Sequence, residues 1–191
     1  MMSVYKSRRK DASAQFIADA RELRRLVARA VRRFPNSYRY IVTNGLLEMA
    51  REIVVNSIKG NGVYLHKDLS QEDFKLRHRY LKMAEVTADA LLEEITFAYE
   101  LVAEGNNFFK SKEEYEKVFS GLTTQGNTVL NRLRNLISND QDRWRRYQKE
   151  KAEAEAAAKA AAEAATKAAA EAKANAEGTG AGEPAPAQAE E

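Results

Sequence analysis

Two histidines, His66 and His78, and no cysteine limit what this 191-residue chain can do as a catalyst or metal binder. The absence of cysteine excludes disulfides, zinc knuckles and thiol nucleophiles. Helical di-iron sites place a Glu three residues before a His on two helices. Here the residue at that spacing is Val63 for His66 and Lys75 for His78, so each His reads as a surface or capping residue. Glu93-Glu94 and Glu113-Glu114 are paired carboxylates in sequence only. Adjacent positions on a helix point in different directions, which makes a solvated face or a cap the simpler account. There is no P-loop, no GxGxxG and no Ser/His/Asp grouping that spacing supports. The expectation is a protein that is not an enzyme and needs no cofactor or metal.

Arginine is where the sequence departs from the ordinary. In the stretch RELRRLVARAVRRF, Leu23, Leu26, Val27, Ala30, Val31 and Phe34 recur at helical spacing. Arg21, Arg24, Arg25, Arg29, Arg32 and Arg33 fill most of the remaining face, with Glu22 its one acid. Solubility alone would be met by mixed Glu and Lys. Like charges four residues apart repel by a few tenths of a kcal/mol, roughly 0.2–0.5 per pair. Residues 1–40 hold eleven Lys and Arg, including Lys6, Arg8, Arg9, Lys10 and Arg39, against three acids, so this segment carries +8. The overall charge is +3, so everything after residue 40 is net −5. A cationic patch of this kind suits a phosphate backbone, because the arginine fork matches phosphate geometry. Further basic groups follow at Arg77, Arg79, Lys82, Arg132, Arg134, Arg143, Arg145 and Arg146. With Tyr38, Tyr40, Trp144 and Tyr147 among them, charge and stacking faces are both on offer. The competing account is that these arginines pair with acids and the aromatics pack at the ends of the fold. No helix-turn-helix, KH or RNA-recognition signature is present, so binding would be mainly electrostatic and salt-sensitive.

The elements that must position these groups read as four amphipathic helices. The first opens at Asp11 or Ser13 after an extended basic arm, 1–10, and runs to about Phe34 with Phe16, Ala20, Leu23, Val27 and Ala30 inward. Pro35 disfavours helix at the residue before it and Ser37 is a candidate cap for the second helix, about 38–59, whose inward line is Ile41, Val42, Leu46, Met49, Ile53 and Val54. Gly45 costs about 1 kcal/mol there relative to Ala, which close approach of a neighbouring helix would explain. Gly60-Asn61-Gly62 is expected to stop that helix. Ser70 followed by Gln71, Glu72 and Asp73 caps the third, about 71–104, packing Leu81, Ala84, Ala88, Leu91, Ile95, Ala98 and Val102. Ser111-Lys112-Glu113-Glu114 is a capping box for the fourth. It buries Tyr115, Val118, Phe119, Leu122, Val129, Leu133 and Leu136, and Ser138-Asn139-Asp140 is expected to end or bend it. No strand-like alternation occurs. Short connections between such helices predict an all-α, antiparallel up-down-up-down four-helix bundle over 11–140. The character changes over 141–177, where KAEAEAAAKAAAEAATKAAAEAKANAE is alanine with scattered Glu and Lys, a strong helix former with nothing to bury, so this segment is expected to be an exposed helix. Residues 178–191 have a disordered composition. No apolar run spans a membrane and no secretory signal opens the chain, which fits a cytoplasmic protein.

Four segments resemble a known family: SVYKSRRKDASAQFIADARELR, FPNSYRYIVTNGLLEMAREIVVNSIKGN, KLRHRYLKMAEVTADALLEEITFAYEL and LTTQGNTVLNRLRNLISNDQDRWRRY. They are similar to the accessory variability determinant (Avd-like) proteins of diversity-generating retroelements, within a wider four-helix-bundle group that includes products of ribosomal RNA intervening sequences. The resemblance covers about residues 3–147 and excludes the Ala-rich tail. It implies a non-catalytic homopentamer of bundles with a basic surface, which binds the element's reverse transcriptase and template RNA and supports mutagenic cDNA synthesis. The alternative is a self-assembling bundle with no reverse transcriptase partner. The residues assigned to nucleic-acid binding come from the charge argument: Lys6, Arg8, Arg9, Lys10, Arg21, Arg24, Arg25, Arg29, Arg32, Arg33 and Arg39.

Overall fold

The computed structural model describes the backbone of residues 4–103 and 109–178, and the side chains of residues 15–101 and 109–171. Its elements are α1 (Val4–Val31), a 3₁₀ turn (Asn36–Tyr38), a π turn (Arg39–Thr43), α2 (Asn44–Gly62), α3 (Gln71–Ala103) and α4 (Lys112–Gly178). They fall into two units, Met1–Trp144 and Arg145–Glu191.

The first unit is an all-α four-helix bundle. Apolar residues at helical spacing leave each helix with one stripe to bury, and the four stripes meet in one core. Leu23 and Val27 of α1, Ile53 of α2, Leu81, Leu91 and Ile95 of α3, and Val129 and Leu133 of α4 are almost wholly shielded from water. Pairings along the helices fix the topology. Asp19 of α1 pairs with Arg132 of α4, while Arg33, just beyond α1, pairs with Glu114. On α3, Arg77 meets Asp140, Glu85 meets Arg134, and Leu92 lies against Gly126. Both ladders descend α4 as they climb the partner, so α4 is antiparallel to α1 and to α3. Among the described residues, no helix is long and apolar enough to cross a membrane.

Both serine caps form. The Ser70 hydroxyl accepts the Asp73 amide at 3.0 Å and donates to its carboxylate at 2.8 Å. Ser111 accepts the Glu114 amide at 3.2 Å, and Glu114 reaches back to the Lys110 amide at 3.2 Å. Each satisfies amides that the first helical turn leaves unpaired.

Several boundaries differ from the sequence expectation. Residues 4–10 are helical, not extended, so α1 begins seven residues before Asp11. Ser37 makes no side-chain cap. The chain instead passes through the 3₁₀ and π turns, and the Asn44 amide donates to the Arg39 carbonyl. A π turn takes up one extra residue and shifts the helical phase. Val42 is buried as expected, but Ile41 is turned out and 65 % exposed. α2 does end within Gly60-Asn61-Gly62, but at its last residue, three beyond the expected Lys59, with Val63 extended. Gly60 itself is the point of closest approach to α3, where an added Cβ would lie 2.8 Å from the Leu81 Cγ and Cδ2. Gly45 has no neighbour within 4 Å of such a Cβ, so close packing does not account for it. Ser138-Asn139-Asp140 neither ends nor interrupts α4. Asp140 gives its carboxylate to Arg77, so that group is not free to compete for local amides. The Val102 side chain and the disordered composition of 179–191 lie outside the described residues.

The second unit is helical to Gly178, and its described side chains are exposed, apart from the half-buried Tyr147. Alanine holds it helical by propensity, and pairs such as Lys149–Glu153, at 3.7 Å, lie one turn apart.

Candidate nucleic-acid interface

Burying Leu23, Val27, Ala30 and Val31 fixes the rotation of α1. With 3.6 residues per turn, the arginines between them then face outward. Arg21, Arg24, Arg25, Arg29, Arg32, Arg33 and, in the π turn, Arg39 are all exposed. Arg21 and Arg25 lie one turn apart on α1, and Arg32 follows in the turn just beyond Val31. A rise of 1.5 Å per residue spreads Arg21 to Arg29 over about 12 Å.

Acids neutralise few of them. Arg25 donates to Glu22 one turn back at 2.6 Å. The hydrogen bond from Arg25, with the positive charges of Arg25 and Arg29 adding to it, holds the Glu22 carboxyl below the usual range. The same bond raises Arg25 further above its already high value. Arg33 is held by Glu114 at 3.0 Å and lies over the Phe109 ring, 5.5 Å from its centroid. Among the described residues, Arg21, Arg24, Arg29, Arg32 and Arg39 form no ion pair. Asp19, an acid of the same helix, is turned inward to Arg132 at 2.8 Å. Lys6, Arg8, Arg9 and Lys10 lie on helical backbone at the start of α1, and their side chains are outside the described residues.

The other basic residues singled out in the sequence behave differently. Lys82 pairs with Glu85 at 2.7 Å, and Arg134 with Glu85 and Asp89, both at 3.3 Å. Arg143 and Arg145 each have a partner, and Arg79 is exposed. Arg77 is not a surface cation at all. Its side chain is 8 % exposed and its Nε donates to Asp140, itself 5 % exposed, at 2.7 Å. Its Nη1 donates to the carbonyls of Gly60 and Val63 at 2.9 and 2.8 Å, tying the end of α2 to α3 and α4. The signal for this was legible. Arg77 sits in phase with Leu81, Ala84 and Ala88, and Asp140 in phase with Leu133 and Ile137, so both occupy core positions of their helices.

The aromatics divide too. Trp144 stacks on Phe74 with centroids 4.5 Å apart and planes 5° apart, and Tyr38 packs against the core. Both serve the ends of the bundle. Tyr40, next to Arg39, is 84 % exposed and offers an open stacking face. His66 lies alongside Tyr64 and His78 alongside Phe74, each with ring centroids 6.2 Å apart. Among the described residues, no group of three or more His, Cys, Asp or Glu is placed to hold a metal ion.

Two surface features went unread in the sequence. One is a groove of about 380 Å³ between α1 and α4, along the arginine face, with Leu26, Val118 and Leu122 in its lining and Arg29, Arg33, Glu114 and Lys117 around it. The other is a second apolar stripe on α3: Leu76, Met83, Ala90 and Phe97 recur every seven residues, joined by Val86, all exposed. The seven-residue spacing was its signal, masked by the stronger core stripe of the same helix. The arginine face offers fixed positive charge and guanidinium donors, the means of holding a polyanion. No family model, curated protein or solved structure matches the chain.

Proposed function

We propose that this protein is a non-catalytic accessory subunit of a diversity-generating retroelement, working in the cytoplasm. In this reading it binds the element's template RNA through the α1 arginine face, and it binds the element's reverse transcriptase to support mutagenic cDNA synthesis. One observation carries the reading: five arginines of that face and the adjoining turn form no ion pair among the described residues, while Arg77 and Lys82 of α3 and Arg132 and Arg134 of α4 are paired within the bundle. Helices with solvated faces gain by mixing signs, and this one does not. The resemblance of four segments to Avd-like proteins supplies the partner and the process.

The same resemblance implies a homopentamer, and the α3 stripe supports self-association, because exposed apolar residues at a seven-residue repeat suit the seam of a packed helix pair. Arg25→Glu, Arg29→Glu and Arg32→Glu together are expected to abolish a gel shift with structured RNA while leaving helicity and oligomer mass unchanged. Loss of the oligomer in that variant favours the alternative, a self-assembling bundle whose arginines satisfy acidic faces of neighbouring copies. Wild-type protein that fails to shift RNA at low salt refutes the RNA-binding reading.

A further inference from the structure

Gly121 stands inside α4, as its tenth residue, with no structural reason to be glycine. It is exposed, and a Cβ built on it meets nothing within 4 Å. A helix interior loses about 1 kcal/mol at such a position relative to alanine. The bare backbone leaves open the groove between α1 and α4 described above. Its lining is apolar at Leu26, Val118 and Leu122, and its rim carries Arg29, Arg33 and Lys117. Glu114 is also on the rim, and its charge is met by Arg33 at 3.0 Å. Arg29 and Lys117, on opposite sides, form no ion pair among the described residues.

We infer that this groove receives one unpaired base of a bound single-stranded RNA, with the phosphates on either side of that base held by Arg29 and Lys117. The inference rests on the RNA-binding reading and adds to it a site and a strand preference. The chemistry matches at both ends of a nucleotide. Extruded bases bury their faces between apolar side chains or on guanidinium planes, and their phosphates seek Arg and Lys. At about 380 Å³ the groove lies at the small end of ligand clefts, which run from roughly 300 to 1,000 Å³. A duplex keeps its bases stacked inside and has none to offer, so the slot discriminates single strands from duplexes where the arginine line alone does not.

The test uses the full chain, a single-stranded RNA carrying one 2-aminopurine, and an RNA duplex of equal length. Binding to wild-type protein is expected to change the 2-aminopurine emission as the base leaves its neighbours and enters the groove. Gly121→Leu fills the groove without removing a charge. It is expected to weaken single-strand binding by roughly tenfold, as loss of the apolar contact of one buried base would, and to leave duplex binding and the salt slope unchanged. Gly121→Ala is expected to stay within about threefold of wild type. Trp144 fluorescence reports whether either variant is folded.

Unchanged single-strand affinity in a folded Gly121→Leu, or an emission change absent at every labelled position in the wild type, overturns the slot and leaves the function standing. Wild-type protein that binds neither RNA form overturns both. A Gly121→Leu that binds both RNAs normally but no longer captures the reverse transcriptase assigns the groove to a protein side chain and overturns the proposal.

Discussion

Replacing Arg77 by methionine keeps most of the side-chain volume and removes three hydrogen bonds from the interior. The Asp140 carboxylate, 5 % exposed, loses its only ion pair shown among the described residues, and the carbonyls of Gly60 and Val63 lose their donor. Breaking one side of a buried ion pair costs about 3–5 kcal/mol. The two carbonyls add less than their separate values of about 1–3 kcal/mol each, because Arg77 itself lines an open cleft of about 370 Å³, through which water can reach the groups that its removal uncovers. Arg77→Met is therefore expected to cost about 4 kcal/mol, a large share of the 5–15 kcal/mol typical of a domain. Urea unfolding followed by Trp144, the one tryptophan of the chain, reads this directly. With a slope near 2 kcal/mol per molar urea, the midpoint should fall by about 2 M. Asp140→Asn retains an acceptor for the Arg77 Nε and should cost about 1–3 kcal/mol. In the double variant Arg77→Met, Asp140→Leu the two costs should be clearly sub-additive, because no charge is left stranded. A fall of less than about 0.5 M for Arg77→Met would refute the reasoning, since the end of α2 would then not depend on this tie.

Other outcomes follow from the same packing. Gly60→Ala forces a methyl against Leu81 and is expected to destabilise by about 1–3 kcal/mol. Gly45→Ala meets open space and should stabilise by up to about 1 kcal/mol; urea midpoints of opposite sign check both. Burial, reinforced by the hydrogen bond that its hydroxyl donates to the Tyr99 carbonyl, raises the Tyr115 pKa far above the ordinary value near 10. The fold therefore favours protonated Tyr115, a contribution complete below about pH 10 and lost as pH rises beyond it. An alkaline absorbance titration should show one of the eight tyrosines ionising only with unfolding, and all eight titrating together would count against it. Met83→Glu with Phe97→Glu places charge on the outer stripe of α3 and should reduce the mass seen by light scattering while leaving the helical signal intact. An unchanged mass would remove that stripe from the assembly.

What was legible in the sequence was what local chemistry decides. The stripes of Leu23, Val27, Leu81, Leu91 and Leu133, and the caps at Ser70 and Ser111, depend on residues within a turn or two of each other, and they stand where the spacing put them. The outward arginines of α1 follow from the same phase. What was not legible depends on contacts between helices. Gly60 reads as a helix stop until Leu81 is seen against it, and Asp140 as a breaker until Arg77 is seen to hold it. Ile41 and Val42 are both apolar, and only the π turn decides which is buried. Whether an arginine is paired or open was likewise beyond reach. Arg132 and Arg21 look alike in sequence, yet Asp19, far along the chain from Arg132, neutralises only the former.

Salt dependence of RNA binding tests the central claim most directly. Each phosphate neutralised on a single strand contributes about −0.7 to the slope of log K against log salt. With Arg21, Arg24, Arg29, Arg32 and Arg39 each engaging one phosphate, the slope should be about −3 to −4. Neutralising Arg29 and Arg32 to Gln should make it shallower by about 1.4 without moving the urea midpoint. A slope near zero, or one that stays the same when those two arginines are replaced, would contradict the account.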